Sequence, residues 1–225
     1  MTSAIGTAAP ARLALLSPRN EGHRAGEPGY RRIAVALFAA GIATFALLYS
    51  TQALLPELAR AFSLSAAQST LSLSSATAGL GAALLVTGPV SEVLGRTRLI
   101  HLSLMASGLV ALACAVAPSW DVLLGLRLVQ GISLAGLPAV ATAYLREETH
   151  PGTYARAAGL YIGSTALGGL TGRLVTSAVA GAAGWRWALA AIAALGLACA
   201  AIVFSRCHRR ATSPLHRCGP PSWRR

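Results

Sequence analysis

The chain has 225 residues, of which 54% are hydrophobic, 6% aromatic and only 12% charged, with a formal net charge of +12. An ordinary soluble domain carries about 25% charged residues, so these few cannot clothe a water-exposed surface of this size, and a soluble globular fold is excluded. Every fixed cation is an arginine, since the sequence contains no lysine.

Residues 1–30 are rich in Pro, Gly and Ala and lack the continuous apolar core of a secretory signal, which predicts a disordered cytoplasmic tail; a cleaved transit peptide is the alternative. Residues 31–206 then hold six apolar blocks: Ile33 to Leu55, Leu71 to Val90, Leu99 to Ala117, Val122 to Leu145, Ala157 to Ala182 and Trp187 to Phe204. Each approaches the ~20 residues a helix needs to cross a bilayer. Backbone groups in lipid must bond within their own segment, so each block is expected to be a transmembrane helix despite its glycines. The opening of the second, "LSLSSATAGLG", is polar enough that it must face protein or a water-filled cavity. Residues 207–225 form a basic tail with no apolar run. Its Cys207, His208, His216 and Cys218 are zinc-type ligands at a spacing that matches no usual finger, so no metal or cofactor is expected. Cys114 and Cys199 lie inside blocks and read as small apolar fillers.

The arginines set the orientation. With the N-terminus cytoplasmic, inner segments hold Arg12, Arg19, Arg24, Arg31 and Arg32, then Arg96 and Arg98, then Arg146 and Arg156, then six more from Arg206 onward, whereas outer connections hold only Arg60 and Arg186. That bias predicts both termini in the cytoplasm. It also accounts for the net charge without a nucleic-acid partner; contact with anionic lipid is a by-product.

Between the second and third blocks lies "GPVSEVLGRTR", where Gly88, Glu92, Gly95, Arg96 and Arg98 crowd into one bridge. It reads either as a positive-inside anchor or as a loop whose acid and two bases pair in one conformation and part in another. Arg127 and Arg173 lie within blocks, at depths of roughly 9 and 12 Å from the outer ends at 1.5 Å per residue. A charge inside a span is costly and marks a functional candidate; snorkelling to the interface is the competing reading. Gln130 and Gly131 follow Arg127 at helical spacing, on one face. Gly159 and Gly163 form a G-x-x-x-G pair in the fifth block, with Gly168, Gly169 and Gly172 beyond, and are expected to admit a neighbouring helix closely.

The spacing of Gly88, Glu92, Gly95 and Arg96 resembles the cytoplasmic signature of the major facilitator superfamily, with Glu92 in place of the usual Asp and Val93 where a base commonly follows. Arg127, Gln130 and Gly131 in "LGLRLVQGISLAG" resemble a fourth-helix signature of its proton-coupled members. "GLYIGSTALGGLTGRLVTSAVAGAAGWRWAL" is similar to the fifth span of efflux carriers, and more so to a bacterial branch of inner-membrane, arabinose-efflux-like permeases; Ser164 stands where the antiporter signature has proline. The resemblance implies an all-α membrane protein of six transmembrane helices in two inverted three-helix repeats, half of the carrier fold, in a bacterial inner membrane. It implies efflux-type, proton-coupled antiport of a small solute, with Arg127, Gln130, Gly131 and Arg173 on the substrate or proton path and the Gly88 to Arg98 stretch as cytoplasmic gate. Echoes at Ala78 to Leu80 against Ala158 to Leu160, and at Gly41 and Ile42 against Gly131 and Ile132, fit such repeats.

A carrier of this type has two six-span halves, so the chain is expected to be the N-terminal half of a longer transporter whose reading frame is lost soon after the sixth span. A half-size carrier that dimerises and a non-transporting membrane scaffold are the alternatives. An intramembrane hydrolase is disfavoured, because His101, at a helix end, is the only histidine near a span. No phosphate-binding glycine loop points to ATP.

Overall fold

The structure, a computed structural model, describes residues 22–208. The tail expected over residues 1–30 and the tail from 207 therefore fall largely outside the described residues, as do His216 and Cys218. The N-terminal boundary nevertheless moves: α1 spans Pro28–Tyr49, with proline in its first turn where the missing N–H costs nothing. Ahead of it, His23 N–H donates to the Glu148 carbonyl and His150 N–H donates to the His23 carbonyl, so this segment is docked.

The first helix does not continue as one rod. It tightens into a 3₁₀ turn, Ser50–Leu54, and resumes as α2, Leu55–Ala61. Pro56 explains the break: it has no N–H to return to the Gln52 carbonyl, and its ring clashes with that carbonyl in a regular helix. A reciprocal capping box between Ser65 and Gln68 starts α3, Ala66–Leu94, which runs through Pro89. A single residue, Gly95 at φ +84°, joins it to α4, Arg96–Ala115. Ser119 caps α5, Trp120–Leu134, and after Ala135 the chain re-enters a helix as α6, Gly136–Glu148. His150 caps α7, Pro151–Ala183, and Gly184 at φ +87° turns the chain into α8, Trp185–His208.

The stretch "GPVSEVLGRTR" is therefore not a loop. Helix α3 continues to Leu94, and Ser91 Oγ donates to the Gly88 carbonyl at 2.6 Å within it. Among the described residues there is no β-strand, only an isolated bridge between His23 and Thr149.

Five helical segments are long and apolar enough to cross a membrane: Pro28–Ala61, Ala66–Leu94, Arg96–Ala115, Trp120–Glu148 and Trp185–Ser205. Six were expected. The one that falls short is α7, the longest helix at 33 residues, because its glycines, hydroxyl residues and Arg173 dilute its apolar content. It is no peripheral element, since it packs along α1 and α8. Helix α3 packs along α5, and α4 along α8 and α5. The chain thus runs back and forth between two ends, one marked by Gly95 and the other by Gly184.

Three apolar clusters stack along this bundle. Near the Gly95 end are Tyr30, Leu37, Leu104, Leu137 and Tyr144; in the middle Leu47, Leu48, Leu134 and Ile192; near the Gly184 end Leu54, Leu58, Leu123 and Leu189. At that last end Phe62 lies 5.8 Å from Trp120 and 5.5 Å from Trp185, ring centre to ring centre, tying three helix connections together. Such rings suit a headgroup boundary, where an amphipathic aromatic is favoured.

Candidate functional site

Helix α5 buries Leu123, Arg127, Gln130, Gly131 and Leu134 on one face. Arg127 is only 1% exposed, the largest fully buried side chain among the described residues. Its guanidinium donates to the Leu47 carbonyl at 3.2 Å, to Gln130 Oε1 at 3.0 Å and to Ser50 Oγ at 3.1 Å. Two of these partners lie where α1 gives way to its 3₁₀ turn. Thr176 of α7 approaches the same turn from another direction, its hydroxyl 3.0 Å from the Ser50 carbonyl and 2.7 Å from that of Gly172. Three helices therefore converge on one irregular residue, Ser50, whose own hydroxyl donates back to the Leu47 carbonyl.

Every partner of Arg127 in this junction is neutral. Hydrogen bonds to a charged group contribute about 1.5–3 kcal/mol each, while taking an ion out of water costs on the order of several kcal/mol. Two donors remain without a partner, Arg127 Nε and Gln130 Nε2. The sequence has seven acidic residues, and those described, Glu27, Glu57, Glu92, Asp121, Glu147 and Glu148, all fall in or beside the helix ends. The charge of Arg127 is hydrogen-bonded but not neutralised by this segment of the chain.

Glycines bring the helices close enough to build this junction. A Cβ at Gly131 would overlap the Ala76 carbonyl of α3, and one at Gly79 the Leu128 carbonyl of α5. On the other side of α1, a Cβ at Gly172 would lie 2.5 Å from the Ala46 carbonyl, and one at Gly168 2.6 Å from the Ile42 carbonyl. Gly169 makes room for the Tyr49 ring. Gly159 and Gly163 differ: a Cβ there meets nothing within 4 Å. They have the right mutual spacing but lie on the wrong face, since the nine residues from 159 to 168 amount to roughly half a revolution at 3.6 residues per turn.

Arg127 and Arg173, expected at similar depths, sit in different environments. Arg173 is exposed, and its guanidinium lies over the Tyr49 ring, 5.4 Å from the centroid. At the Gly95 end the expected pairing also changes. Glu92 and Arg98 are exposed, and Arg96 meets Glu147 of α6 at 2.9 Å, a close ion pair without the alignment of a good hydrogen bond. The acid that answers Arg96 thus comes from a different helix, α6, and not from Glu92 of α3. An open cleft here is lined by Ser91, Glu92, Gly95, Arg96, Tyr144 and Glu147. Beside it, the backbone of Arg24 and then the His23 side chain, 3.2 Å away, hold the Glu27 carboxyl below its usual range.

Sequence reasoning missed Ser50, Thr176 and Glu147. Pro56 was the available signal for the break that makes Ser50 special; nothing local marks Thr176 or Glu147, whose roles depend on which helices pack together. It also missed Arg186, which donates to the Ala115 and Ala117 carbonyls at 3.4 and 3.1 Å and so closes the end of α4.

A helical body this apolar, with an arginine sealed among helices that pack on glycine, belongs to an integral membrane protein. A sequence model of the Major Facilitator Superfamily matches residues 33–218, and the chain belongs to that family. It is 42% identical over 181 residues to the MFS-type transporter YybF of Bacillus subtilis (strain 168), covering 80% of this chain and 45% of that one. It is likewise 42% identical over 185 residues to the inner membrane transport protein YnfM of Escherichia coli (strain K12), covering 82% and 44%. A more distant relative, the puromycin resistance protein pur8 of Streptomyces alboniger, is 33% identical over 118 residues, 50% of this chain and 23% of that protein. The chain spans about half the length of the first two relatives.

Proposed function

We propose that the chain forms the N-terminal six-helix half of a proton-linked efflux carrier for a small solute, in a bacterial inner membrane with both ends cytoplasmic. In this reading α7 is the fifth of six spans, its polar face turned to protein or to a water-filled path. The arginine bias supports the orientation, because Arg24, Arg31, Arg32, Arg96, Arg98, Arg146 and Arg156 gather at the Gly95 end against Arg60 and Arg186 at the other.

Packing supports two inverted repeats. Exchanging spans one, two and three with four, five and six turns the α1–α7 crossing into the α5–α3 crossing. The glycines Gly41 and Gly131 take matching places, the first against Ser164 of α7 and the second against Ala76 of α3. The other echo does not fit, since Gly79 is packed against Leu128 while Gly159 touches nothing.

The observation that carries the transport reading is the uncompensated Arg127 bound to the broken first span. A fixed positive charge here changes the cost of any charge entering the path beside it, whether an anionic solute or a proton on a nearby group. The titrating carboxylate of the exchange is supplied from outside this six-helix body, by a second such half, by a second copy, or by the solute. The Arg96–Glu147 pair, with Glu92 and Arg98 beside it, acts as the cytoplasmic gate, intact in one conformation and parted in the other.

The test is solute-evoked proton movement in everted membrane vesicles from cells making the chain, alone and together with a separately encoded second six-helix half. Puromycin, arabinose and benzoate serve as probes, with a pH-gradient dye as readout. At least one probe is expected to discharge the gradient with the wild-type chain and none with Arg127→Ala. Arg127→Lys should be nearly as inactive, because one ammonium cannot bridge Leu47, Ser50 and Gln130 as the planar guanidinium does. Equal flux in wild type and Arg127→Ala overturns the reading; absence of flux in every arm is the result a membrane scaffold gives.

A further inference from the structure

The Arg173 side chain has no part in the Arg127 junction, yet it is placed with as much care. Gly169 lacks a side chain, and the Tyr49 ring settles on it, with Cδ2 3.3 Å from where a Cβ would be. Arg173, one turn further along α7, lays its guanidinium over the same ring at 5.4 Å. Phe45, one turn back along α1, lies 6.2 Å from Tyr49. The result is a short aromatic shelf with a cation on it.

Three facts decide what the shelf is for. First, Arg173 is exposed and makes no ion pair with a carboxylate among the described residues. Second, it stands ten residues before the end of α7, a depth of roughly 15 Å at 1.5 Å per residue, so its charge lies well inside the helical body. Third, its guanidinium is held toward the middle of the bundle: the ring under it rests on Gly169, one turn deeper. A side chain that snorkels stretches toward the nearer interface instead. A cation kept at that depth over an aromatic face presents the planar fork that matches a carboxylate.

We propose that Phe45, Tyr49 and Arg173 form a binding subsite for a small organic anion, whose carboxylate meets the Arg173 guanidinium and whose apolar ring lies along the aromatic shelf. This rests on the transport reading and adds the substrate class to it. Arg127, sealed behind Ser50 on the other side of the broken first span, adds a second positive charge that favours the same ligand without touching it.

Equilibrium binding of radiolabelled benzoate to the full chain purified in detergent tests the site, with neutral benzamide as competitor. Saturable binding is expected, displaced by unlabelled benzoate and not by benzamide. Arg173→Gln should weaken it at least tenfold, Tyr49→Ala several-fold, and Tyr49→Phe, which keeps the ring, less than twofold. Arg173→Lys keeps the charge and should bind benzoate better than Arg173→Gln, which separates recognition from a folding defect. No saturable benzoate binding to the wild-type chain overturns the proposal, as does unchanged binding in Arg173→Gln or a lysine variant no better than the glutamine one. Gradient discharge by a neutral probe alone, dependent on Arg127 and without benzoate binding, would leave the transport reading standing and remove only the anion.

Discussion

Two arginines of this chain, Arg127 and Arg96, make opposite bargains with their surroundings. Arg127 lies among neutral acceptors, 1% exposed, with no acid to answer it. Arg96 lies at the Gly95 end, with Glu147 2.9 Å away and 26% of its side chain exposed. Folding alone would favour the reverse arrangement, since a charge is cheapest where water or a counter-charge can reach it. A cation kept where it costs most is what the proposed transport role of Arg127 requires. A pair at the solvent edge, by contrast, contributes about 0–1 kcal/mol and is weak enough to open and close.

The packing that makes the first arrangement possible should be the easiest to break. Gly131→Leu drives a side chain into the Ala76 backbone, which cannot yield as a side-chain tip could, so α3 and α5 must separate. A loss of about 3 kcal/mol or more is expected, read as failure to accumulate in membranes or as a large drop in resistance to unfolding by detergent. Gly88→Leu is the control, because nothing lies within 4 Å of a Cβ there; a surface change of this kind should stay within about 0.5 kcal/mol.

Next in size is the contrast between the arginines themselves. Arg127→Met removes an unneutralised buried charge together with its hydrogen bonds to Leu47, Ser50 and Gln130, two opposing effects, so stability should stay within about 1 kcal/mol of the wild type. A larger loss of stability would make Arg127 a structural brace. Arg96→Met and Glu147→Gln should each cost less than about 1 kcal/mol, and less still in high salt. The double variant should cost no more than either single one, as a pair that acts only on itself requires.

How far these features could be read from sequence depends on whether their causes are local. The spans were legible because apolar runs and lipid thickness are local facts, and Arg127 with Gln130 and Gly131 because helical spacing puts them on one face. Gly168 and Gly172 could be found as close-packing residues, but nothing local distinguished their face of α7 from the one bearing Gly159 and Gly163, half a revolution away. Helix α7 showed the limit of composition: packed along α1 and α8, it is more polar than the five segments apolar enough to cross a membrane. The pairing of Arg96 with Glu147 joins residues on different helices, and it exists only once α4 and α6 have met. Ser50 was a middle case, since Pro56 announces a break in the first span but not that Arg127 and Thr176 would close around it.

The smallest effect concerns the segment docked ahead of α1. The carboxyl of Glu27 is held below its usual range, first by the backbone of Arg24 and then by the His23 side chain. Because its folded pKa is depressed, its contribution to docking is complete above the ordinary glutamate value of about 4.3 and is lost as the pH falls through the lowered folded value. His23 N–H and His150 N–H, which bond to the Glu148 and His23 carbonyls, report that docking directly. Their hydrogen-exchange protection, corrected for the intrinsic rate, should be steady from neutral pH down to about 5 and weaken only below it. In Glu27→Gln the acid-side weakening should vanish, leaving one lower and pH-independent level of protection. A wild-type profile that fell between pH 7 and 5 would assign the docking to a group other than Glu27.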